Sequence, residues 1–320
     1  MARIGWLIRP DNLELMDRLT RLAWAVIGWN VVTILLGSVV RATHSGAGCG
    51  RSWPTCEGQL LPALEGATAI EFTHRVASGV ALVLVGVLAW AVFRSKPPAH
   101  PARRSASWAA AAVVGEALIG AAIVVYEWVG SDDSVARVMA VPLHLVNTLL
   151  LLAALTLTTW LLMGGRRPRW QGPSRRWVAV GAVALVLIFA TGAITALADT
   201  LFPTSGGVSA GAEHFLTRLR IFHPILAVSA VAAATLATRN VVRAAWPLVK
   251  WLVVLTLCQL GLGLLNIALG TPLWLQILHL ALADVIWIAY IWVAAQTLAS
   301  DATSSATVET GAKQVKPLHK

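Results

Sequence analysis

The stretch "IEFTHRVASGVALVLVGVLAWAVF", residues 70–93, decides the fold. A helix needs about 20 mostly apolar residues to cross the hydrocarbon of a bilayer, and this run supplies them. Its polar residues, Glu71, His74 and Arg75, are crowded at one end. Reading outward in both directions, comparable apolar runs recur, giving eight spans near 22–40, 70–93, 107–129, 138–163, 177–198, 216–238, 246–269 and 273–298. Only 12% of the 320 residues are charged and mean hydropathy is +0.72. A soluble domain carries about 25% charged residues, so the expected class is an all-α integral membrane protein.

Orientation follows from the basic residues. With the N-terminus inside, 19 of the 25 fall on inner segments; the exceptions are Arg41, Arg51, Arg75, Arg137, Arg218 and Arg220. The positive-inside rule then places both termini in the cytoplasm of a plasma-membrane protein. That bias accounts for the net charge of +10 without invoking nucleic acid. A basic inner face also suits anionic lipid headgroups. Asp11, Glu14 and Asp17 precede the first span, with no small-residue cleavage site after a short apolar core, which argues against a cleaved signal peptide.

The chain reads as an internal duplication. Residues 1–21 form a cytoplasmic lead, 22–163 a first four-helix bundle, 164–176 a cytoplasmic linker, 177–298 a second four-helix bundle and 299–320 a polar, disordered tail. Each half has a long outer loop between its first two spans, and "GEALIGAAIVV" in span three has a counterpart in "CQLGLGLLNIA" of span seven. There Glu116 and Gln259 each precede a glycine that permits close helix packing. The first long loop, residues 41–69, holds Cys49 and Cys56 with Pro54 between them. On the oxidising side of the membrane such a pair reads as a disulfide pinning a lid over the bundle, or else as two unrelated thiols. Cys258, inside span seven, reads as a small buried apolar residue.

Four of the eight histidines lie inside spans: His74, His144, His223 and His279, one in each even-numbered span. The others, His44, His100, His214 and His319, fall in loops or termini. Counted from the outer helix ends the four lie at similar depth, on the order of 7–12 Å in. Intramembrane ionisable groups are costly and usually functional. Two imidazoles at equal depth on neighbouring helices suit the axial positions of haem iron, giving two haem sites; helix–helix hydrogen bonding is the competing reading.

The pairs differ. Glu71 precedes His74 by three residues, whereas Arg220 precedes His223 by three. A carboxylate beside a haem is a candidate proton carrier or orienting acid, or simply a helix-end carboxylate. The first site thus looks built for chemistry and the second for holding a cofactor. Arg41, Arg75, Arg218 and Arg220, near the outer ends, are candidate contacts for haem propionates. Glu116 and Asn147 are placed to hydrogen-bond between helices, and Asp284 lies off the face of His279. The fifteen tryptophans mostly fall toward span ends, as interfacial anchors do.

"GSVVRATHSGAGCGRSWPTCEGQLLP" (37–62), "EFTHR", "HLVNTLLLL", "TGAITALADTLFP", "FHPILA" and "LHLALAD" together resemble the heme A synthase family, over residues 20–298. The resemblance implies oxidation of the C8 methyl group of heme O to a formyl group, giving heme A for terminal oxidases. Two hydroxylations by molecular oxygen and loss of water from a geminal diol would produce the aldehyde. It makes His74 and His144 the ligands of the substrate haem, His223 and His279 the axial ligands of heme b, Glu71 catalytic, and Cys49 and Cys56 the outer-loop pair. A second cysteine pair found in some members, between spans five and six, is missing here. The implied partners are heme O, oxygen, an electron donor of unspecified identity, heme O synthase and oxidase assembly factors. The rival reading is a di-haem b-type cytochrome passing electrons between quinol and an outer acceptor. A transporter or a haem-farnesylating transferase fits less well: the spans show no broken midplane helices, and the aspartates needed for diphosphate and magnesium are missing.

Overall fold

A computed structural model describes residues 10–205, 208–209, 214–237 and 246–314. Arg3, Arg9, Arg239, Arg243, Lys316, Lys320 and His319 lie outside the described residues, so the part of the orientation reading that rests on them does too. The regular structure of the described chain is helical apart from a two-residue antiparallel pairing of Thr204–Ser205 with Val208–Ser209 and an isolated bridge between Cys56 and Gln59. The helices are α1 (Pro10–Ala42), α2 (Gly66–Ser95), α3 (Pro101–Val125), α4 (Val135–Leu162), α5 (Arg175–Leu201), α6 (Phe215–Leu219), α7 (Phe222–Ala237), α8 (Trp246–Ala268) and α9 (Leu273–Gln314). Among the described residues, seven of them are long and apolar enough to cross a membrane.

Helix ends depart from the apolar runs where local chemistry dictates. α3 begins at Pro101, not 107, because the imidazole of His100 accepts the Ala102 N–H and proline suits the first helical position. It also ends earlier, at Val125. Ser134 caps α4 by accepting the Arg137 N–H. The expected sixth span, 216–238, is broken into α6 and α7 around Arg220 and Ile221. Pro224 explains the break: it has no N–H to give the Arg220 carbonyl, yet fits the first turn of α7. At the C-terminus α9 runs helical to Gln314, past residue 298 where the tail was expected to lose order. No glycine or proline interrupts that stretch before Gly311.

The tightest packing lies at the end of the bundle away from the cysteine loop. There Leu19 and Val26 of α1, Val85 and Leu88 of α2, Ala106 of α3 and Leu155 of α4 form one buried cluster. The buried threonines Thr156, Thr158 and Thr159 return their hydroxyl protons to carbonyls one turn back, so none costs an unpaired donor. A second cluster, Leu149, Leu152, Phe189 and Trp287, joins α4, α5 and α9, with Trp287 Nε1 donating to Leu149 O at 2.8 Å. Trp287 is thus an interior tryptophan, unlike the expected end anchors. Outward-facing Val83, Leu118, Leu150, Val183 and Leu264 are exposed, a surface suited to lipid tails. Cys258, expected to be buried, is exposed on α8.

Candidate functional site

The helices part around a mostly apolar cavity of about 1570 Å³ that starts beneath the cysteine loop and runs on between α5, α8 and α9 to Trp177, Val249 and Val293 at the opposite end. A cleft for one ligand measures roughly 300–1,000 Å³, so this one has room for two. His74, His144, His223 and His279 all line it. Glycines on neighbouring helices make room for three of the rings. A Cβ on Gly37 of α1 would lie 3.0 Å from His74 Cε1, one on Gly192 of α5 3.0 Å from His223 Cε1, and one on Gly263 of α8 3.2 Å from His279 Cε1.

The rings of His223 and His279 have centroids 6.3 Å apart. Two metal–imidazole bonds of about 2 Å and two ring radii of about 1.1 Å sum to nearly that spacing, so the pair fits an iron between them. His223 Nδ1 is 3.1 Å from Ile188 O; with the proton there, Nε2 is the free base a metal requires. His74 Nδ1 and His279 Nδ1 are buried without a hydrogen-bond partner among the described residues. Glu116 Oε2 lies 2.9 Å from His144 Nδ1, which likewise makes no hydrogen bond in its present ring orientation. In the second half, Gln259 Nε2 lies 3.1 Å from His279 Nε2 and donates to His279 O.

Glu71 is buried under the loop. Its Oε2 accepts the Cys49 N–H at 2.8 Å, and its Oε1 takes the guanidinium of Arg75, which also donates to Ser52 O and Thr55 O. Cys49 and Cys56 are joined in a disulfide and fully buried. The loop rests directly on α2: Thr68 Oγ1 donates to Gly48 O, and a Cβ on Gly48 would strike the Ala67 backbone at 2.5 Å. One carboxylate and one guanidinium therefore tie the disulfide loop to the helix that carries His74.

The other sequence-selected arginines separate. Arg41 reaches from α1 into the second half, donating to Ala196 O, Thr200 Oγ1 and Gln276 Oε1. Arg220 pairs with Asp199 at 3.0 Å and donates to Ala198 O and Phe202 O. Both line the cavity, whereas Arg218 is exposed and does not. Arg75 lines it too, but with its guanidinium engaged by Glu71 and the loop. The sequence reading missed Arg137, which is buried, lines the cavity and donates to Gly130 O and Asp132 O. Asp284 is buried, and neither carboxylate oxygen has a hydrogen-bond partner among the described residues. Glu116 and Asn147, expected to hydrogen-bond between helices, do so with each other, at 2.6 Å. The contact of Glu116 with His144, and that of Gln259 with His279, were also missed; the matched "GEALIG" and "CQLGLG" segments were the available signal.

Comparison with known proteins follows the same lines. The COX15-CtaA family, described as cytochrome oxidase assembly protein, matches residues 20–69 and 63–291. The chain is 42% identical over 316 residues to a protoheme IX farnesyltransferase of Thermus thermophilus, covering 94% of this chain and 50% of the relative. It is 41% identical over 128 residues to a heme A synthase of Bacillus licheniformis, covering 39% of each. A heme A synthase of Bacillus mycoides is 38% identical over 97 residues, 30% of this chain and 31% of the relative. The chain spans half the length, or less, of these curated relatives. With a match over most of its residues and a cavity flanked by membrane-length helices, this multi-pass membrane chain belongs to the COX15-CtaA family of cytochrome oxidase assembly proteins.

Proposed function

We propose that the chain is a heme A synthase, an oxidoreductase that converts the C8 methyl group of heme O to a formyl group. The observation that carries this reading is the shared cavity lined by four intramembrane histidines, with the His223 and His279 rings 6.3 Å apart and three of the four rings cradled by glycines. His74 and His144 hold the substrate, heme O, and His223 and His279 hold heme b as a resident cofactor. When bound, heme b supplies one-electron transfer to the reaction. The apolar cavity wall suits a farnesyl tail and excludes water, and molecular oxygen partitions into the same apolar phase.

Glu71 is the acid–base candidate of the first site. Arg75 and the Cys49 N–H fix its carboxylate, so a proton exchanged there moves at a defined position beneath the loop. Arg41, Arg137 and Arg220 are the candidates to receive propionates at the cavity's outer end. α7 completes the set as an eighth span, and the halves form a tandem repeat. In support, a glycine on α1 and on α5 faces the histidine of α2 and of α7, and a Glu or Gln on α3 and on α8 faces the histidine of α4 and of α9. Both termini then lie in the cytoplasm and the disulfide loop on the outer face, where it persists.

The farnesyltransferase relatives are twice as long as the stretch they share with this chain, which favours a heme O synthase as the partner that delivers substrate. Co-expression with a heme O synthase in a host lacking heme A, followed by haem extraction and chromatography, tests the proposal. Heme A is expected; recovery of heme O and heme b alone would refute the synthase and favour the di-haem cytochrome.

A further inference from the structure

The two histidine pairs are backed by different chemistry, and the difference lies on α3 and α8. Three groups of α4 face Glu116 in the α3–α4 seam. Asn147 Nδ2 donates to its Oε1 at 2.6 Å, Thr148 Oγ1 shares its one proton between Oε2 at 3.1 Å and the His144 carbonyl at 3.0 Å, and His144 Nδ1 stands 2.9 Å from the same Oε2. Asn147 is itself fixed, because Nδ2 also donates to Ala112 O and a Cβ on Gly115 would lie 3.1 Å from its amide. His144 Nδ1 makes no hydrogen bond in its present ring orientation, and a rotation of the ring at this distance would bring an Nδ1–H onto the carboxylate. In the second half the corresponding group is an amide. Gln259 presents Nε2, a donor, to the His279 ring, and its Oε1 is buried without a partner among the described residues.

We propose that Glu116 is a positioning residue that fixes the tautomer of His144 and strengthens it as an iron ligand, so that the first site is electronically unlike the second. The inference rests on the haem-binding reading above. A carboxylate accepting the Nδ1 proton leaves Nε2 as the ligating atom and places more negative charge on the ring. That charge stabilises the ferric over the ferrous state of iron held by His144, lowering its midpoint potential. An amide at the corresponding place does not. The asymmetry gives the half that takes the substrate the more electron-rich iron and leaves the cofactor half without that shift.

The test is a spectroelectrochemical titration of the purified full-length protein reconstituted with ferric haem, comparing wild type with Glu116→Gln. His223→Ala, by deleting the second signal, assigns the bands. Glu116→Gln should shift the midpoint potential of the first-half haem upward, alter its low-spin ferric electron-paramagnetic-resonance g values and lower its haem affinity about 10–100-fold. The second-half haem should keep its potential. A Glu116→Gln protein whose first-half haem retains the wild-type potential and g values overturns the inference. Glu116→Ala serves the same comparison if the glutamine variant does not accumulate. Wild-type protein that takes up no haem at all would instead refute the functional reading on which the inference stands.

Discussion

Gly37→Ala probes the first site with a single methyl group. The added Cβ would lie 3.0 Å from His74 Cε1 and 3.4 Å from Nε2, whereas ordinary contacts run 3.4–4 Å. The imidazole must therefore retreat by several tenths of an ångström or turn away from the cavity. Overpacking of this kind costs about 1–3 kcal/mol. At about 1.4 kcal/mol per tenfold, haem affinity at the first site should fall roughly 5–150-fold. Folding should change little, because alanine in a helix interior recovers about 1 kcal/mol relative to glycine. The assay is Soret titration of purified protein alongside its thermal unfolding. Gly192→Ala, with its Cβ 3.0 Å from His223 Cε1, should weaken the second site instead. Gly28→Ala, on α1 with nothing within 4 Å of the new Cβ, should weaken neither. Wild-type haem affinity in Gly37→Ala, or equal losses at both sites, would refute the cradle argument.

Two further outcomes follow from the geometry. Glu71→Gln keeps an acceptor for the Cys49 N–H but removes the ion pair with Arg75, so heme O should still bind while heme A formation stalls; unchanged product on chromatography would remove Glu71 from the chemistry. At the start of α3, burial first and the nearby Lys96 charge second hold the His100 pKa below its ordinary value. The neutral ring accepts the Ala102 N–H, so its stabilisation is present above about pH 6.5 and is lost as pH falls toward the depressed folded value. Hydrogen-exchange protection of the first turn of α3 should weaken on that acid limb in wild type and lose this pH dependence in His100→Ala; identical profiles would exclude the cap.

The spans were legible because crossing a bilayer imposes a length and an apolarity that a run of residues displays directly, as 70–93 does. Where the structure departs, the cause is short-range chemistry that a hydropathy run does not weigh. His100 and Pro101 start α3 ahead of its apolar stretch, and Pro224 parts α6 from α7. The cavity-lining histidines were legible for a similar reason, since a polar ring inside a span is conspicuous. What the rings touch was not, because partners across a seam depend on how neighbouring helices are rotated about their axes. That rotation puts Glu116 against His144, turns Arg75 into the loop, buries Arg137 and leaves Cys258 facing outward. The glycine four residues after Gln259, Gly263, reads as a packing glycine until the His279 ring it accommodates is seen.

The most direct measurement is haem iron per chain in purified protein reconstituted to saturation, for wild type, His74→Ala, His223→Ala and the double variant. Two haems in wild type, one in each single variant with different spectra, and none in the double variant is the predicted result. A single haem in wild type, or two single variants that lose the same spectral component, would contradict a pair of sites each closed by its own two histidines.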